Sequence, residues 1–116
     1  MKQFLAIYLG TEEAIEAFRR LPEDTRAGIE AAGVKAWGEW FERHRDAIVD
    51  PGAPLGRTKA VSRAGITDVR NAMGAYVIVR AASHEEAARM FEGHPHFTVF
   101  PGTSVEVMEC RPLPGT

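Results

Sequence analysis

The sequence has almost no cysteine and no long apolar run, and each shortage excludes a class of protein. Cys110 is the only cysteine among the 116 residues. Because it has no partner for an internal disulfide, a reducing cytoplasmic setting is the natural expectation. The apolar run at residues 4–9 stops at Gly10, which is too short for a secretory signal or for the ~20 residues of a membrane span. We therefore expect a cytoplasmic protein that has no membrane partner.

An excess of charge of either sign is also missing. The chain has 14 basic and 16 acidic residues and a net charge of −2. No broad basic field is available to attract nucleic acid or an acidic membrane. A glycine-rich phosphate loop is absent too, because Gly52 and Gly56 are followed by Arg57-Thr58 and not by Lys and Ser or Thr. We expect no nucleic-acid partner.

The length and the apolar content predict one domain, residues 1–116, with a short tail at residues 111–116. Apolar residues make up 45% of the chain. That content is enough for a core between two layers of secondary structure, but not for two separate cores.

The first half of the chain predicts one strand and two helices. Residues 2–9 form a strand whose two alternating sets of side chains are both apolar. Thr11 caps a short helix that Pro22 ends. A longer helix is predicted over residues 23–49, because apolar side chains recur there at helical spacing. That stripe consists of Ile29, Gly33, Ala36, Trp37, Trp40, His44 and Ile48.

The second half predicts three strands and one helix. Residues 58–63 alternate weakly and are half polar, which indicates an edge strand, and residues 64–73 are assigned to turns. Residues 74–81 form the clearest strand. Ser83 and Glu86 make a capping box that starts a helix, and residues 104–110 form the last strand.

The order β-α-β-β-α-β predicts an α+β ferredoxin-like sandwich with a four-stranded antiparallel sheet. Its first and third strands are central, and both helices lie on one face. Because the central strands are apolar on both faces, the second face needs a cover. An identical sheet is the simplest cover, so we predict a homodimer that pairs the sheet faces.

With these elements placed, the chain resembles the YCII-related family over nearly its whole length. The resemblance implies a ferredoxin-like fold and a dimeric α/β barrel. It depends on the segments Trp37-Gly38-Glu39-Trp40-Phe41, Gly74-Ala75-Tyr76, Glu85-Glu86-Ala87-Ala88, His94-Pro95 and Val105-Glu106-Val107.

The chain departs from the branch of that family that carries a D-G-P-F motif before the third strand. Asp68 stands where the motif would begin, but Val69-Arg70-Asn71 follow it. The biochemical function of the family is largely unassigned, and a histidine–aspartate pair is suspected as the active site in some members. For this chain the resemblance therefore raises the question whether His44 or His94 forms such a pair with Asp68.

His44 is the candidate catalytic residue that the helical stripe singles out. As a general base it would line a pocket between helix and sheet, with a carboxylate tuning its pKa towards neutrality. Asp68 is the proposed partner, and Glu39 and Asp46 are alternatives. The competing hypothesis is a structural histidine whose ring packs on Trp40.

Several further residues are candidates for binding a ligand, and each also has a structural interpretation. Trp37 and Trp40 would line the pocket or fill the core. Lys59 and Arg63 would hold an anion or protect a sheet edge. Glu106 would point into the dimer cavity or pair with a neighbouring strand. His94 would bind a ligand or end the preceding helix.

The sequence predicts no metal and no cofactor. The segment His94-Pro95-His96 offers two histidines with no nearby cysteine or aspartate, which is too few for a zinc or iron site.

Two functions are favoured at this point, ahead of a haem- or metal-dependent oxidoreductase. The first is a dimeric protein with a small-molecule cleft that works as a metal-independent acid–base enzyme. The alternative is a non-catalytic module that binds a small molecule or a partner and whose histidines are structural.

Overall fold

A computed structural model describes residues 1–115 of the chain. Its helices are α1 (Glu12–Arg19), α2 (Glu23–Arg43), α3 (His84–Arg89) and α4 (Pro95–Thr98), with a 3-10 turn at Arg45–Ala47. Its strands are β1 (Lys2–Leu9), β2 (Ile48–Asp50), β3 (Thr58–Ser62), β4 (Gly65–Val69), β5 (Met73–Ala81) and β6 (Ser104–Glu109).

Within these residues, four of the strands form one antiparallel sheet in the order β2-β5-β1-β6. The central strand β1 pairs with β5 on one side and with β6 on the other. This order, with α1 and α2 between the first two strands of the sheet and α3 and α4 between the last two, is that of a ferredoxin-like sandwich. The predicted α+β fold is confirmed.

The prediction of the second strand of this sheet is wrong. Helix α2 ends at Arg43, not at residue 49, and Ile48–Asp50 forms the edge strand that pairs with β5. Ile48 lies opposite Val79 and packs against the same buried cluster that the helix covers. Its side chain therefore packs on the core as a residue of the helical stripe would, although its backbone is extended.

Residues 58–63, predicted as that edge strand, lie in a separate hairpin, and residues 64–73 are not all turn. Strand β3 pairs with β4 from Thr58↔Val69 to Ser62↔Gly65. The two-residue connection is followed by Gly65 at φ +115°, a backbone conformation that glycine tolerates. A half-polar alternating segment suits a free hairpin as well as a sheet edge, so the pattern did not distinguish them.

The core lies between the sheet and the helices. Alternate side chains of β1 and β5 enter it, and they are covered by residues of α2 and α3 and by Phe91, two positions after α3. The buried cluster comprises Phe4, Ala6, Tyr8, Val77, Val79, Ala81, Trp40, Ala87 and Phe91.

The opposite face of the sheet is also apolar, as predicted from the two alternating sets. Leu5, Ile7 and Leu9 of β1 lie there, and they are half-buried by their neighbours in the sheet. Met108 of β6, opposite Leu5, is 43% exposed. We call this surface the open face, because the helices that cover the core lie on the other side of the sheet.

Helix α2 is long but buries little. Gly33 and Trp40 are its buried residues, and Val34 is 68% exposed. No helix within residues 1–115 has the length and apolar content to cross a bilayer.

The position of Trp40 predicts a large stability effect. Trp40→Phe removes an indole N–H that donates to the carbonyl of Met90 at 2.8 Å and leaves space in the core. We expect a loss of about 2 kcal/mol in the free energy of unfolding, measured by denaturant titration. Val34→Ala on the same helix serves as the control, with a change within ~0.5 kcal/mol. A loss at position 40 no larger than the control would contradict the packing described.

Candidate functional site

A cavity of about 610 Å³ opens between α2, the loop after β2, the start of β5 and the segment after α4. A volume of this size is in the range of small-molecule sites. None of its lining residues, all within residues 1–115, carries a charged side chain. The lining consists of Tyr8, Val34, Trp37, Phe41, Pro51, Gly52, Ala53, Pro54, Gly74, Ala75, Tyr76, His96 and Phe100.

Two glycines hold the walls of this cavity in place. A Cβ atom on Gly33 would lie 2.3 Å from the ring of Phe100, so that ring packs directly on the backbone of α2. Gly52 has φ +70°, and a Cβ atom there would lie 1.8 Å from the carbonyl oxygen of Tyr76. A larger residue at either position would move a wall of the cavity.

His96 lines the cavity, and a hydrogen bond to the protein backbone fixes the orientation of its ring. Its Nε2 lies 2.7 Å from the carbonyl oxygen of Leu9. A carbonyl only accepts, so Nε2 carries the proton and donates. The ring also lies against Gly102, where a Cβ atom would come within 2.2 Å of Nε2. The remaining nitrogen, Nδ1, is then an acceptor in the neutral ring.

His94 lies behind the cavity, fully buried, and joins His96 to Tyr8. Its Nδ1 accepts the backbone N–H of His96 at 2.9 Å, which caps the N-terminus of α4. Its Nε2 lies 3.2 Å from the hydroxyl oxygen of Tyr8. The predicted role as a residue that ends the preceding helix is replaced by this role at the start of α4.

Burial keeps both His94 and Tyr8 neutral. It lowers the pKa of His94 to about 3, with the charges of His96, His44 and Arg43 acting in the same direction. Burial also raises the pKa of the Tyr8 hydroxyl far above its ordinary value. Near pH 7 the hydroxyl is therefore protonated and the imidazole is uncharged.

Trp37 connects this buried pair with the cavity wall. Its ring centroid lies 4.8 Å from that of Tyr8 and 4.6 Å from that of His94, the latter edge to face. Such aromatic contacts restrict the orientation of each ring. Trp37 therefore occupies the position in the cavity that was predicted for a ligand-binding residue.

His44 does not line the cavity. It is the residue that follows α2, and its ring packs on Trp40 with centroids 4.9 Å apart. Burial and the charge of Arg43 both lower its pKa, and no carboxylate contributes. The geometry matches the structural interpretation of His44 more closely than the catalytic one.

Asp68 lies on the β3–β4 hairpin, away from His44. Its carboxylate pairs with Lys59 at 2.7 Å, and the two side chains are 83% and 68% exposed. Both residues line a second, polar cleft of about 820 Å³ between α1 and the hairpin. The predicted histidine–aspartate pair is therefore not assembled by the fold.

The other predicted site residues lie in three different places. Trp40 is in the core, with its indole N–H bonded to the Met90 carbonyl. Arg63 is exposed in the turn of the hairpin. Glu106 is exposed on the open face, opposite Ile7 of β1.

Sequence reasoning did not select Tyr8, His96 and Phe100 as site residues. Tyr8 was placed on one face of the first strand, and His96 was weighed only as a metal ligand together with His94. Among residues 1–115, no group of three or more His, Cys, Asp and Glu comes together as a metal site would require. The usable signal was the run His94-Pro95-His96 itself, since proline suits the first position of a helix and a preceding side chain caps it.

Comparisons with known proteins give a match among solved structures that bears on the fold. No protein-family profile matches the chain, and no curated protein matches it. The solved structure of a 5-chloro-2-hydroxyhydroquinone dehydrochlorinase from Burkholderia phenoliruptrix AC1100, in complex with 2,5-dihydroxybenzoquinone, is similar to it. The TM-score is 0.54 at 17% identity, over 94% of this chain and 93% of that one. The likeness shows a related fold, and membership of the YCII-related family stays a resemblance.

The buried His94 predicts acid sensitivity. In the unfolded chain the pKa of a histidine lies near its ordinary value of 6.5, whereas burial lowers the pKa of His94 to about 3. Between these values the unfolded state binds a proton that the folded state does not. Stability is therefore complete above pH 6.5 and falls by about 1.4 kcal/mol for each pH unit below it.

Denaturant titrations between pH 8 and pH 4 measure this effect. His94→Asn is the matched variant, because an asparagine oxygen still caps α4 but does not titrate. We expect a shallower loss of stability on acidification in the variant than in the natural protein. Equal slopes in the two proteins would show that His94 is not the group responsible.

Proposed function

We propose that this protein binds a small, flat, uncharged ring compound in the cavity and moves a proton to or from it, with His96 as the general base. The observation that carries the proposal is a cavity with aromatic walls and no charged side chain, in which Tyr8 and His96 supply the polar groups whose directions are set by the protein. Cavities of this composition suit apolar ligands oriented by a few polar contacts.

His96 has the arrangement that a general base requires. Its Nε2–H donates to the Leu9 carbonyl, and that bond both orients the ring and stabilises the imidazolium that forms when Nδ1 takes a proton. A C–H bond next to a ligand carbonyl would break, its proton would pass to Nδ1, and its electrons would form an enolate. The hydroxyl of Tyr8 can then donate to the enolate oxygen.

The structural neighbour supports this class of ligand. That protein is a dehydrochlorinase, and its ligand is a hydroxylated six-membered ring. A ring of that size fits a cavity of about 610 Å³. The reaction and the substrate of the neighbour belong to that enzyme, and its 17% identity to this chain transfers the fold alone.

Proton exchange tests the proposed catalysis. Cyclohexane-1,2-dione in D2O exchanges the protons next to its carbonyl groups, and NMR measures the rate. We expect the protein to accelerate this exchange, and His96→Gln to lower the catalysed rate ~10²-fold or more. Glutamine keeps a donor towards the Leu9 carbonyl but has no basic nitrogen. His84→Gln, on an exposed histidine of α3, is the control and should retain the rate.

The alternative of a non-catalytic binding module predicts a different result. The dione would quench the fluorescence of Trp37, which lines the cavity, yet its protons would exchange no faster than in buffer. Loss of acceleration in both His84→Gln and His96→Gln would likewise contradict the assignment of the base.

We also propose that two copies of the chain pair through their open faces. Leu5, Ile7 and Leu9 lie on that face without a helix over them. The radius of gyration is 16.2 Å, whereas a compact domain of this length has about 13 Å. The chain is therefore extended, as expected when part of its packing surface belongs to a partner.

The hairpin and the charges of the open face support a second copy as the partner. Val61 and Ile66 lie opposite each other on the hairpin and are 76% and 68% exposed, and a two-stranded hairpin is marginal without a surface to pack on. Arg80 and Glu106 lie on the open face, and neither has an ion-pair partner within the described part of the chain. In a two-fold dimer, Arg80 of one copy can lie close to Glu106 of the other copy.

Sedimentation measures the predicted assembly. At micromolar concentration we expect a species of about twice the 12.8 kDa chain mass. Ile7→Lys places a charge at the centre of the open face and should yield monomer, whereas Ala31→Lys, at an exposed position of α2, should not. A natural protein that sediments as monomer would refute the pairing without reference to either variant.

A further inference from the structure

His94 contacts two of the three cavity residues that have polar side chains, Tyr8 and His96 but not Tyr76, and this gives it a role that the proposed function does not use. Its Nε2 lies 3.2 Å from the Tyr8 hydroxyl oxygen, and its Nδ1 lies 2.9 Å from the backbone nitrogen of His96. The side chain of His96 in turn reaches the Leu9 carbonyl at 2.7 Å. One chain of hydrogen bonds therefore runs from β1 through α4 and back to β1.

The position of each proton in this series of hydrogen bonds follows from whether the partner atom can donate or only accept. A backbone N–H only donates, so His94 Nδ1 has no proton and Nε2 has one. That Nε2–H must donate to the oxygen of Tyr8, which leaves the hydroxyl proton of Tyr8 without a role in this bond. At the other end, the Leu9 carbonyl requires the proton of His96 on Nε2, so Nδ1 of His96 has a free lone pair.

Neither unused group has a second partner in the described part of the protein, and Tyr8 as a whole is only 1% exposed. Within residues 1–115 no further hydrogen bond is made by the Tyr8 hydroxyl or by Nδ1 of His96. No buried side-chain nitrogen or oxygen among these residues lacks a partner, so the unpartnered Nδ1 must be accessible. Both residues line the cavity. A ligand that contacts both residues would meet one fixed donor and one fixed acceptor, in addition to Tyr76 of the same lining.

We infer that His94 is a positioning residue that sets this pattern, and that the cavity selects neutral rings that carry a hydroxyl group next to an acceptor oxygen. The hydroxyl donates to His96 Nδ1, and the neighbouring oxygen accepts from Tyr8. The inference rests on the proposed function, because it names the class of ligand for the same cavity.

The contact between the two rings supports neighbouring positions on the ligand. The ring centroids of Tyr8 and His96 are 5.2 Å apart, edge to face, so both rings border the same part of the cavity. The same arrangement disfavours a carboxylate, because its oxygens would face the lone pair of Nδ1. In addition, no cation lines the cavity to compensate for the hydration that the carboxylate loses on binding.

A series of four ring compounds tests the selectivity in the natural protein. The probes are 2-methoxyphenol, 4-methoxyphenol, 1,2-dimethoxybenzene and benzoate, and the readout is quenching of Trp37 fluorescence, with calorimetry as the second measurement. We expect 2-methoxyphenol to bind about tenfold more tightly than 4-methoxyphenol or 1,2-dimethoxybenzene, since each of these loses one hydrogen bond. Benzoate should bind most weakly.

The variant His94→Asn tests whether His94 sets the pattern. Asparagine keeps the cap of α4 but is too short to hold the Tyr8 hydroxyl, so the preference for 2-methoxyphenol over 4-methoxyphenol should fall at least threefold while ring binding persists. Ala88→Ser, at an exposed position of α3, controls for general effects and should keep the full preference. A preference unchanged in His94→Asn would overturn the positioning role.

The outcomes separate this inference from the function on which it rests. If none of the rings quenches Trp37, the proposed function fails and the inference fails with it. If all four bind with similar affinity, ring binding stands and the inference is overturned. If benzoate binds most tightly, the donor and acceptor pattern is contradicted directly.

Discussion

The site depends on one buried imidazole that is kept uncharged. His94 is enclosed by Tyr8, Trp37, Trp40 and Phe91, so a proton on its second nitrogen would be costly in this apolar surrounding. Because its Nδ1 is occupied by a backbone N–H, the ring also has a single tautomer. The hydrogen bonds that His94 makes with the Tyr8 hydroxyl and the His96 backbone take their direction from that constraint.

The same packing explains why the candidate cavity lies where it does. Helix α2 approaches Phe100 closely only because residue 33 is glycine, and the loop after β2 turns beneath Tyr76 only because residue 52 is glycine. Between these two close contacts the chain leaves a space that the core does not fill. The core and the candidate site therefore share residues: Tyr8 belongs both to the buried cluster and to the cavity wall.

The fold was predictable from local patterns, whereas the site was only partly so. Alternation in β1 and β5 and the cap at Ser83 identified the central strands and a helix, because each is a short-range signal. Ile48 was misassigned since an apolar side chain can meet the core from a helix or from a strand. His96 was missed because its role depends on the carbonyl of Leu9, 87 positions away in sequence, and no local pattern records such a contact. Trp37, which lines the cavity, was selected because a helical stripe of aromatic residues is itself local.

The protonation of the two histidines is the most direct test of the account. A long-range ¹H–¹⁵N NMR spectrum of the protein labelled at histidine distinguishes the Nδ1–H tautomer, the Nε2–H tautomer and the imidazolium of each ring. At neutral pH the account requires the proton of His94 on Nε2, and the same tautomer for the uncharged ring of His96. A His94 signal with the proton on Nδ1, or with both nitrogens protonated, would contradict it.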